Sequence, residues 1–152
     1  MNCSIARSLE VIGEWWTLLI VRDAFFGVTR FEALQERLGI SRGILAARLQ
    51  TLVDHGVLER RCYDAARQRY DYVLTAKGRA LWPVVVTIRQ WGDEWIAGTG
   101  NESVAVLHRG CGGHVHGVLT CSRCGEHAAL RECEVAPGPG LTDAHLIPAH
   151  RA

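Results

Sequence analysis

The chain has 152 residues, of which 48% are hydrophobic, and its formal net charge at pH 7 is +1. This length suffices for one domain with its own core plus a small appendage. The balanced charge excludes a uniformly polybasic binder of nucleic acid or membranes, although a local basic patch can be hidden in the sum. Lys77 is the single lysine, and the arginines that supply the other positive charges suit bidentate contacts to phosphate and guanine.

The N-terminal residues lack a charged start followed by an apolar run, so no signal peptide is predicted. The apolar stretch 15–26 is interrupted by Arg22 and Asp23, which predicts a core helix and not a membrane span. These features predict a cytoplasmic protein without a membrane partner. In that compartment the six cysteines are expected to be thiols, metal ligands or redox sensors more often than disulfides.

Apolar residues at helical spacing predict four helices in the first 56 residues. Gly13, Gly27 and Gly39 are predicted to end the first three. Ser41 is a good N-cap for the fourth, which is expected over about 41–55.

After residue 56 the spacing of the apolar residues changes from helical to alternating. Residues 57–63 and 69–74 carry alternating, β-favouring residues around a polar loop, which predicts a hairpin. Thr75 is expected to cap a long helix that reaches about residue 97 and is kinked at Pro83. A Gly-rich linker follows this helix, and "APGPG" later breaks the chain again. The expected organisation is a helical and hairpin unit at 1–97, a Cys/His-rich β extension at 98–136 and a tail at 137–152.

The order helix, short turn, capped helix and hairpin is that of a winged helix-turn-helix, a fold that is mainly α with a β-hairpin wing. Its recognition helix, about 41–55, would enter the major groove, and its wing, about 59–73, would follow the backbone or the minor groove. From residue 29 to 70, eight arginines stand against five acids, a local balance of +3. The alternative is that these arginines are only a solvated face. The candidate DNA contacts are Arg42, Ala46, Ala47, Arg48 and Gln50 on the helix, with Arg67 and Arg69 on the wing.

Three stretches carry a resemblance to a known family: "CSIARSLEVIGEWWTLLIVRDAFFGVTRFEALQERLGIS", "LAARLQTLVDHGVLERRCYD" and "RYDYVLTAKGRALWPVV". From Cys3 to about Gly92 the chain resembles the HxlR family of bacterial winged-helix regulators. The resemblance implies a homodimer through the N-terminal helix and the helix at 76–97, bound to a pseudo-palindromic double-stranded DNA operator. It also implies a DNA-facing set of Ser41, Arg42, Ala46, Arg48, Gln50 and Arg69. The chain departs from the family after Ser41, where a Pro-Lys pair is common and Arg42-Gly43 stands here, so the operator sequence is left open.

Cys3 is a candidate redox sensor. Many members of that family carry a cysteine near the N-terminus, and the dipole at a helix start can stabilise a thiolate. The alternative is a small half-buried residue without a switching role.

The C-terminal extension contains two short knuckles, His108-x-x-Cys111-Gly112 and Cys121-x-x-Cys124-Gly125. Two such turns can supply the four tetrahedral ligands of a structural Zn²⁺ ion, here a Cys₃His set, and the alternating "HVHGVLT" between them is expected to form a strand, as in a zinc ribbon. The spare candidate ligands are His114, His116, His127 and Cys133. Two alternatives remain: free thiols, or a reversible disulfide between Cys121 and Cys124.

These features together predict a sequence-specific DNA-binding transcriptional regulator that responds to a redox signal or a ligand, and not an enzyme. No H-E-x-x-H, paired-carboxylate or Ser/His/Asp pattern accompanies the cysteines. Two competing functions use the same extension: a small thiol- or zinc-based enzyme, and a protein-interaction adaptor that does not bind DNA.

Overall fold

The computed structural model describes residues 3–98 and 100–140. Four helices come first: α1 (Ser4–Ile12), α2 (Trp15–Phe25), α3 (Phe31–Leu38) and α4 (Arg42–Asp54). An antiparallel hairpin of β1 (Leu58–Asp64) and β2 (Arg69–Leu74) follows. The chain then forms α5 (Ala76–Arg79), α6 (Trp82–Gly92) and a π-helical turn, Asp93–Ala97. The mainly helical fold with a hairpin wing is thus confirmed.

The core lies between α2, α3, α4 and the start of the hairpin. Leu45, Leu49 and Leu52 are at most 1% exposed, and their spacing of four and three residues places them on one face of α4. They pack with Ile20 and Leu34 in a single buried cluster. The opposite face of α4 is therefore turned outward.

The turn between α3 and α4 is fixed by two residues that the sequence pattern identifies. Gly39 has φ of 64° at the C-terminus of α3. This left-handed backbone conformation is unstrained for glycine, because glycine has no Cβ. Ser41 then begins α4 as its N-cap, since its Oγ accepts a hydrogen bond of 3.3 Å from the backbone N–H of Ile44. This cap sets where α4 begins and hence which residues occupy its first turn.

The wing is anchored to the segment before α3. The backbone N–H of Tyr72 donates to the carbonyl of Thr29 at 2.7 Å, and Arg30 forms an isolated antiparallel bridge with Asp71. The strands pair with Leu58 opposite Leu74, and the register shifts between Cys62 and Asp64. The hairpin is therefore tied to the segment before α3 along the middle of β2.

The prediction of a single long helix from residue 76 to about 97 is wrong. Thr75 caps a helix as expected, because its Oγ1 accepts from the Gly78 N–H at 3.1 Å, but that helix ends at Arg79. Pro83 lies in the first turn of α6, where a residue without an N–H loses no hydrogen bond. The proline therefore begins a new helix and does not kink an old one.

The C-terminal extension is less regular than predicted. The alternating residues 114–120 are predicted to form a strand, but the described part of the extension pairs its backbone only in two isolated bridges, Leu107 with His114 and Thr120 with His127. A short 3-10 helix, Leu130–Glu132, follows. The extension rests on α6, where the Gly117 N–H donates to Gln90 Oε1 at 2.9 Å. A Cβ at Gly117 would meet Thr87 Cγ2, so glycine permits this close approach. Among the described helices, none is long and apolar enough to cross a membrane.

Candidate nucleic-acid interface

The outward face of α4 is small in its middle and polar at its ends. Arg42, Ala46, Ala47 and Gln50 are all exposed, while Leu45 on the other face is fully buried. Two alanines without long side chains let a second surface approach the helix backbone closely. This is the profile that a helix needs in order to sit in a major groove.

Arg42 and Gln50 are each held by a neighbour. The Arg42 guanidinium carbon lies 4.7 Å from the centroid of the Phe31 ring, a cation–π contact that restrains the side chain and leaves its N–H edge available. Gln50 Nε2 donates to Asp54 Oδ1 at 2.7 Å. Each of the two polar groups is thus held in place on the exposed side of α4.

Arg48 is placed differently from the rest of the expected set. Its side chain is 32% exposed and its Nε lies 3.8 Å from Glu14 Oε2. Glu14 is the N-cap of α2, since its carboxylate accepts from the Trp16 N–H at 2.9 Å. Arg48 therefore ties α4 to the start of α2, on a side of the helix away from Ala46 and Gln50.

The wing carries arginines of two kinds. Arg60 stacks on Tyr70, with 4.0 Å from its guanidinium carbon to the ring centroid, and Arg61 pairs with Glu59. Arg67 and Arg69 are exposed, and neither takes part in an ion pair within the described part of the chain. These two retain their full charge for an external anion.

Several large apolar side chains are also exposed. They lie on α1, at the start of α2, and on α6 with the turn that follows it, and they are 51–77% exposed: Ile5, Leu9, Trp15, Ile88, Trp91, Trp95 and Ile96. We call these seven residues the apolar face. The sequence pattern does not identify Trp15 as exposed, because it stands in an apolar run that is typical of a core helix. Its position directly after the Glu14 cap turns it outward.

The four expected zinc ligands lie as two separate pairs in this structure, and the Cys₃His site stays a prediction. His108 Nδ1 and Cys111 Sγ are 3.4 Å apart, and Cys121 and Cys124 form a separate pair. Within residues 3–98 and 100–140 no group of three or more His, Cys, Asp or Glu side chains could hold a metal ion. Two ligands are fewer than the four of a structural zinc site.

The physical reason is that each pair is fixed by its own turn. In both turns the first residue donates its N–H five residues ahead, His108 to Gly113 and Cys121 to Glu126, and accepts from the glycine four residues on. Those glycines, Gly112 and Gly125, have φ of 71° and 77°. The spacing of residues within each knuckle is thus enough to predict its turn. The distance between the two knuckles depends instead on the irregular segment that joins them.

The surroundings of Cys121 favour the thiolate form of its side chain. The backbone N–H groups of Cys124 and Arg123, and after them the Cys124 side chain, lower the pKa of the Cys121 thiol from its ordinary value. Hydrogen bonds to sulfur favour the thiolate over the thiol. Cys3 lies at the N-cap position of α1 and is half-buried; its role as a sensor stays a prediction.

Cys121 is expected to react with iodoacetamide faster than Cys133 at pH 7, and to reach its full rate at a lower pH. A lowered pKa leaves more thiolate at every pH below the ordinary thiol range, and the thiolate is the attacking species. Peptide mass spectrometry of timed reactions between pH 6 and 9 gives both profiles. Cys133 serves as the comparison because it is exposed in the same extension. Identical pH profiles for the two thiols would contradict the assignment, and Cys124→Ala, which removes the side-chain donor and keeps the backbone N–H, should move the Cys121 profile modestly to higher pH.

Comparisons with known proteins agree with this arrangement. The sequence profile of the HxlR-like helix-turn-helix family matches residues 11–99. An uncharacterised HTH-type transcriptional regulator of Mycobacterium bovis is 43% identical over 138 residues, which cover 91% of this chain and 87% of that protein. One of Synechocystis is 33% identical over 95 residues, or 62% of this chain and 70% of that protein.

Solved structures are similar over the same region and beyond it. The crystal structure of PA1607, provisionally classed as a transcription factor, superposes with a TM-score of 0.80 at 40% identity and covers 90% of this chain and 95% of that one. The redox regulator HypR in its reduced form has a TM-score of 0.56 at 27% identity, covering 59% of this chain and 90% of that one. The family profile spans more than half of the sequence, and the exposed helix and hairpin have the family's form. The chain belongs to the HxlR-like helix-turn-helix family of DNA-binding transcriptional regulators.

Proposed function

We propose that the protein is a homodimeric, sequence-specific regulator that reads double-stranded DNA with α4. The observation that carries the proposal is the outward face of α4, where Arg42 stands in the first turn and Ala46 and Ala47 leave room for close approach. The first turn of a recognition helix is where base edges are commonly reached. An arginine there can donate two hydrogen bonds to O6 and N7 of a guanine.

The wing supplies contacts of the other kind. Arg67 and Arg69 are exposed near the loop of the hairpin, so their guanidinium groups suit phosphate oxygens, which fix the position of a protein on DNA without reading its sequence. The exposed side chain of Ser41, whose Oγ already caps α4, suits the same task. Arg48 holds α4 against α2 and so acts on binding through the position of the helix.

The apolar face supports dimerisation. It lies on α1 and α6, the two helices that are expected to meet the partner. Large apolar residues exposed in this number, four of them on α6 and the turn after it, indicate an interface. A two-fold axis through it would present one α4 from each chain to successive turns of the operator.

Arg42→Ala is expected to weaken binding to specific DNA by about 5- to 150-fold, the equivalent of roughly 1–3 kcal/mol for a lost bidentate base contact. The measurement is fluorescence anisotropy with DNA from upstream of the protein's own gene, against a shuffled sequence of the same composition.

Arg67→Ala should instead weaken binding to both DNAs alike and reduce the salt dependence of the affinity, since it removes a phosphate contact.

Arg48→Ala is the matched control for Arg42→Ala, because it removes an arginine of the same helix that faces Glu14. It should cost less specific affinity than Arg42→Ala does. Wild-type protein that binds the two DNAs equally well would count against sequence-specific reading. No binding to either DNA at low salt would count against the whole proposal and favour a protein-interaction adaptor.

A further inference from the structure

A cavity of about 460 Å³ lies between α2, α6 and the start of the C-terminal extension. Of the thirteen lining residues in the described chain, nine are apolar, three are arginine, one is serine and none is acidic. Its volume falls in the range of about 300–1,000 Å³ that is usual for small-molecule sites. We propose that this cavity binds a small organic monocarboxylate, with the apolar body against α2 and α6 and the carboxylate against the arginines.

The charges around the cavity leave one positive charge unbalanced. Arg22 and Arg37 both pair with Asp23, at 2.9 and 3.3 Å, so two guanidinium groups share one carboxylate. Arg89 pairs with Asp93 and also interacts with the charge of Glu102. The surplus is therefore at Asp23, where two guanidinium groups share one carboxylate and leave a net charge of +1 that one ligand carboxylate neutralises.

Arg89 is held by the protein itself. Its Nη1 donates to Asp93 Oδ2 and to the Val104 carbonyl, and its Nε is buried. A buried atom is not open to a ligand in the cavity. Arg22 and Arg37, which are 37% and 51% exposed, are therefore the arginines that a ligand carboxylate can reach.

The chemical class follows from the apolar walls and the unbalanced charge together. A neutral apolar ligand would fill the walls but leave the charge of Arg22 and Arg37 unmatched. A phosphate ester carries more charge than the arginines leave unpaired and offers little apolar surface to the nine apolar residues. A monocarboxylate with an aromatic or aliphatic body matches both the walls and the charge.

A ligand in the cavity would contact residues that are linked to the DNA-reading helix α4. The effect on DNA binding that we infer from this link rests on the proposed function. Asp23 joins α2 to α3 through Arg37, and α2 packs directly against α4. A carboxylate that competes with Asp23 for Arg37 would loosen α3 from α2. Ligand binding is therefore expected to change the affinity for DNA.

The test is isothermal titration calorimetry of the full-length protein with three probes: decanoate, 4-phenylbutyrate and 2-naphthoate, each beside its neutral primary amide. At least one acid should bind, and its amide should bind at least tenfold more weakly. Arg22→Gln should weaken the acid at least tenfold and leave the amide unchanged, because Asp23 then balances Arg37 alone. Arg131→Gln is the matched control, because that arginine lies in the extension outside the cavity.

Val106→Phe tests the location without touching a charge, since its larger side chain would fill the cavity from the extension side. It should abolish binding of the acid while the melting temperature and the affinity for DNA stay close to wild type. The proposal is overturned if none of the three acids binds, if the amide binds as tightly as its acid, or if Val106→Phe binds normally. Failure of DNA binding in parallel assays would instead strike the proposed function, because the calorimetric titration contains no DNA.

Discussion

Trp91→Glu is expected to convert the protein to a monomer and to lower its affinity for a two-half-site operator by about 10²- to 10⁴-fold. Trp91 is 58% exposed, and Ile88, one turn before it, is 51% exposed, so both lie on the side of α6 that belongs to the apolar face. A glutamate there would place a charge in the centre of a desolvated contact, where it has no partner. Each half-site would then be bound by a separate chain, and the advantage of linked binding would be lost.

The experiment separates loss of the dimer from loss of the fold. Sedimentation velocity gives the oligomeric state, and anisotropy gives the affinity for the full operator and for a single half-site. The half-site affinity should stay near the wild-type value, because α4 is untouched. Leu130→Glu is the control: Leu130 is 92% exposed in the extension, outside the apolar face, and its charged variant should stay dimeric. A Trp91→Glu protein that still sediments as a dimer would place the interface elsewhere.

The features that sequence predicts well here are those that neighbouring residues determine. Ser41 and Thr75 are caps because a hydroxyl can reach a backbone N–H three residues ahead, and both do so. Gly39 ends α3 because its left-handed backbone disfavours other residues. Each of these effects lies within one turn of chain, so the first four helices, the hairpin and the winged helix-turn-helix order could be predicted from the sequence.

The features that sequence misses depend on partners far along the chain. Arg48 and Gln50 differ by two positions, yet one faces Glu14 and the other faces outward, because about 200° of helix rotation separates them. The two knuckles form as their spacing predicts, but nothing local fixes the distance between them. Likewise, the contact of Arg89 with the extension at Val104 joins residues fifteen apart, and no periodicity encodes it.

Asp23→Ala is expected to lower the free energy of unfolding by roughly 3 kcal/mol, the lower end of the cost of breaking a buried ion pair. Asp23 is fully buried on α2 and accepts hydrogen bonds from Arg22 Nε at 2.9 Å and Arg37 Nε at 3.3 Å. It is thus the one carboxylate in the described chain that both of these arginines share. The lower end applies because Arg22 and Arg37 are 37% and 51% exposed, so water can solvate the guanidinium groups that lose their partner.

Urea unfolding at a fixed protein concentration measures this loss, since dimerisation makes stability depend on concentration. Asp54→Ala removes an exposed carboxylate from α4 and should change stability by well under 1 kcal/mol, as surface substitutions usually do. A double-mutant cycle with Arg37→Ala then isolates the tie between α2 and α3. If the two substitutions proved additive, the tie would carry no coupling energy, and the route from the cavity through Arg37 to α4 would have no energetic basis. A favourable coupling would instead establish that α3 follows α2 through this pair, which is the link that a carboxylate in the cavity must weaken in order to act on the DNA-reading helix.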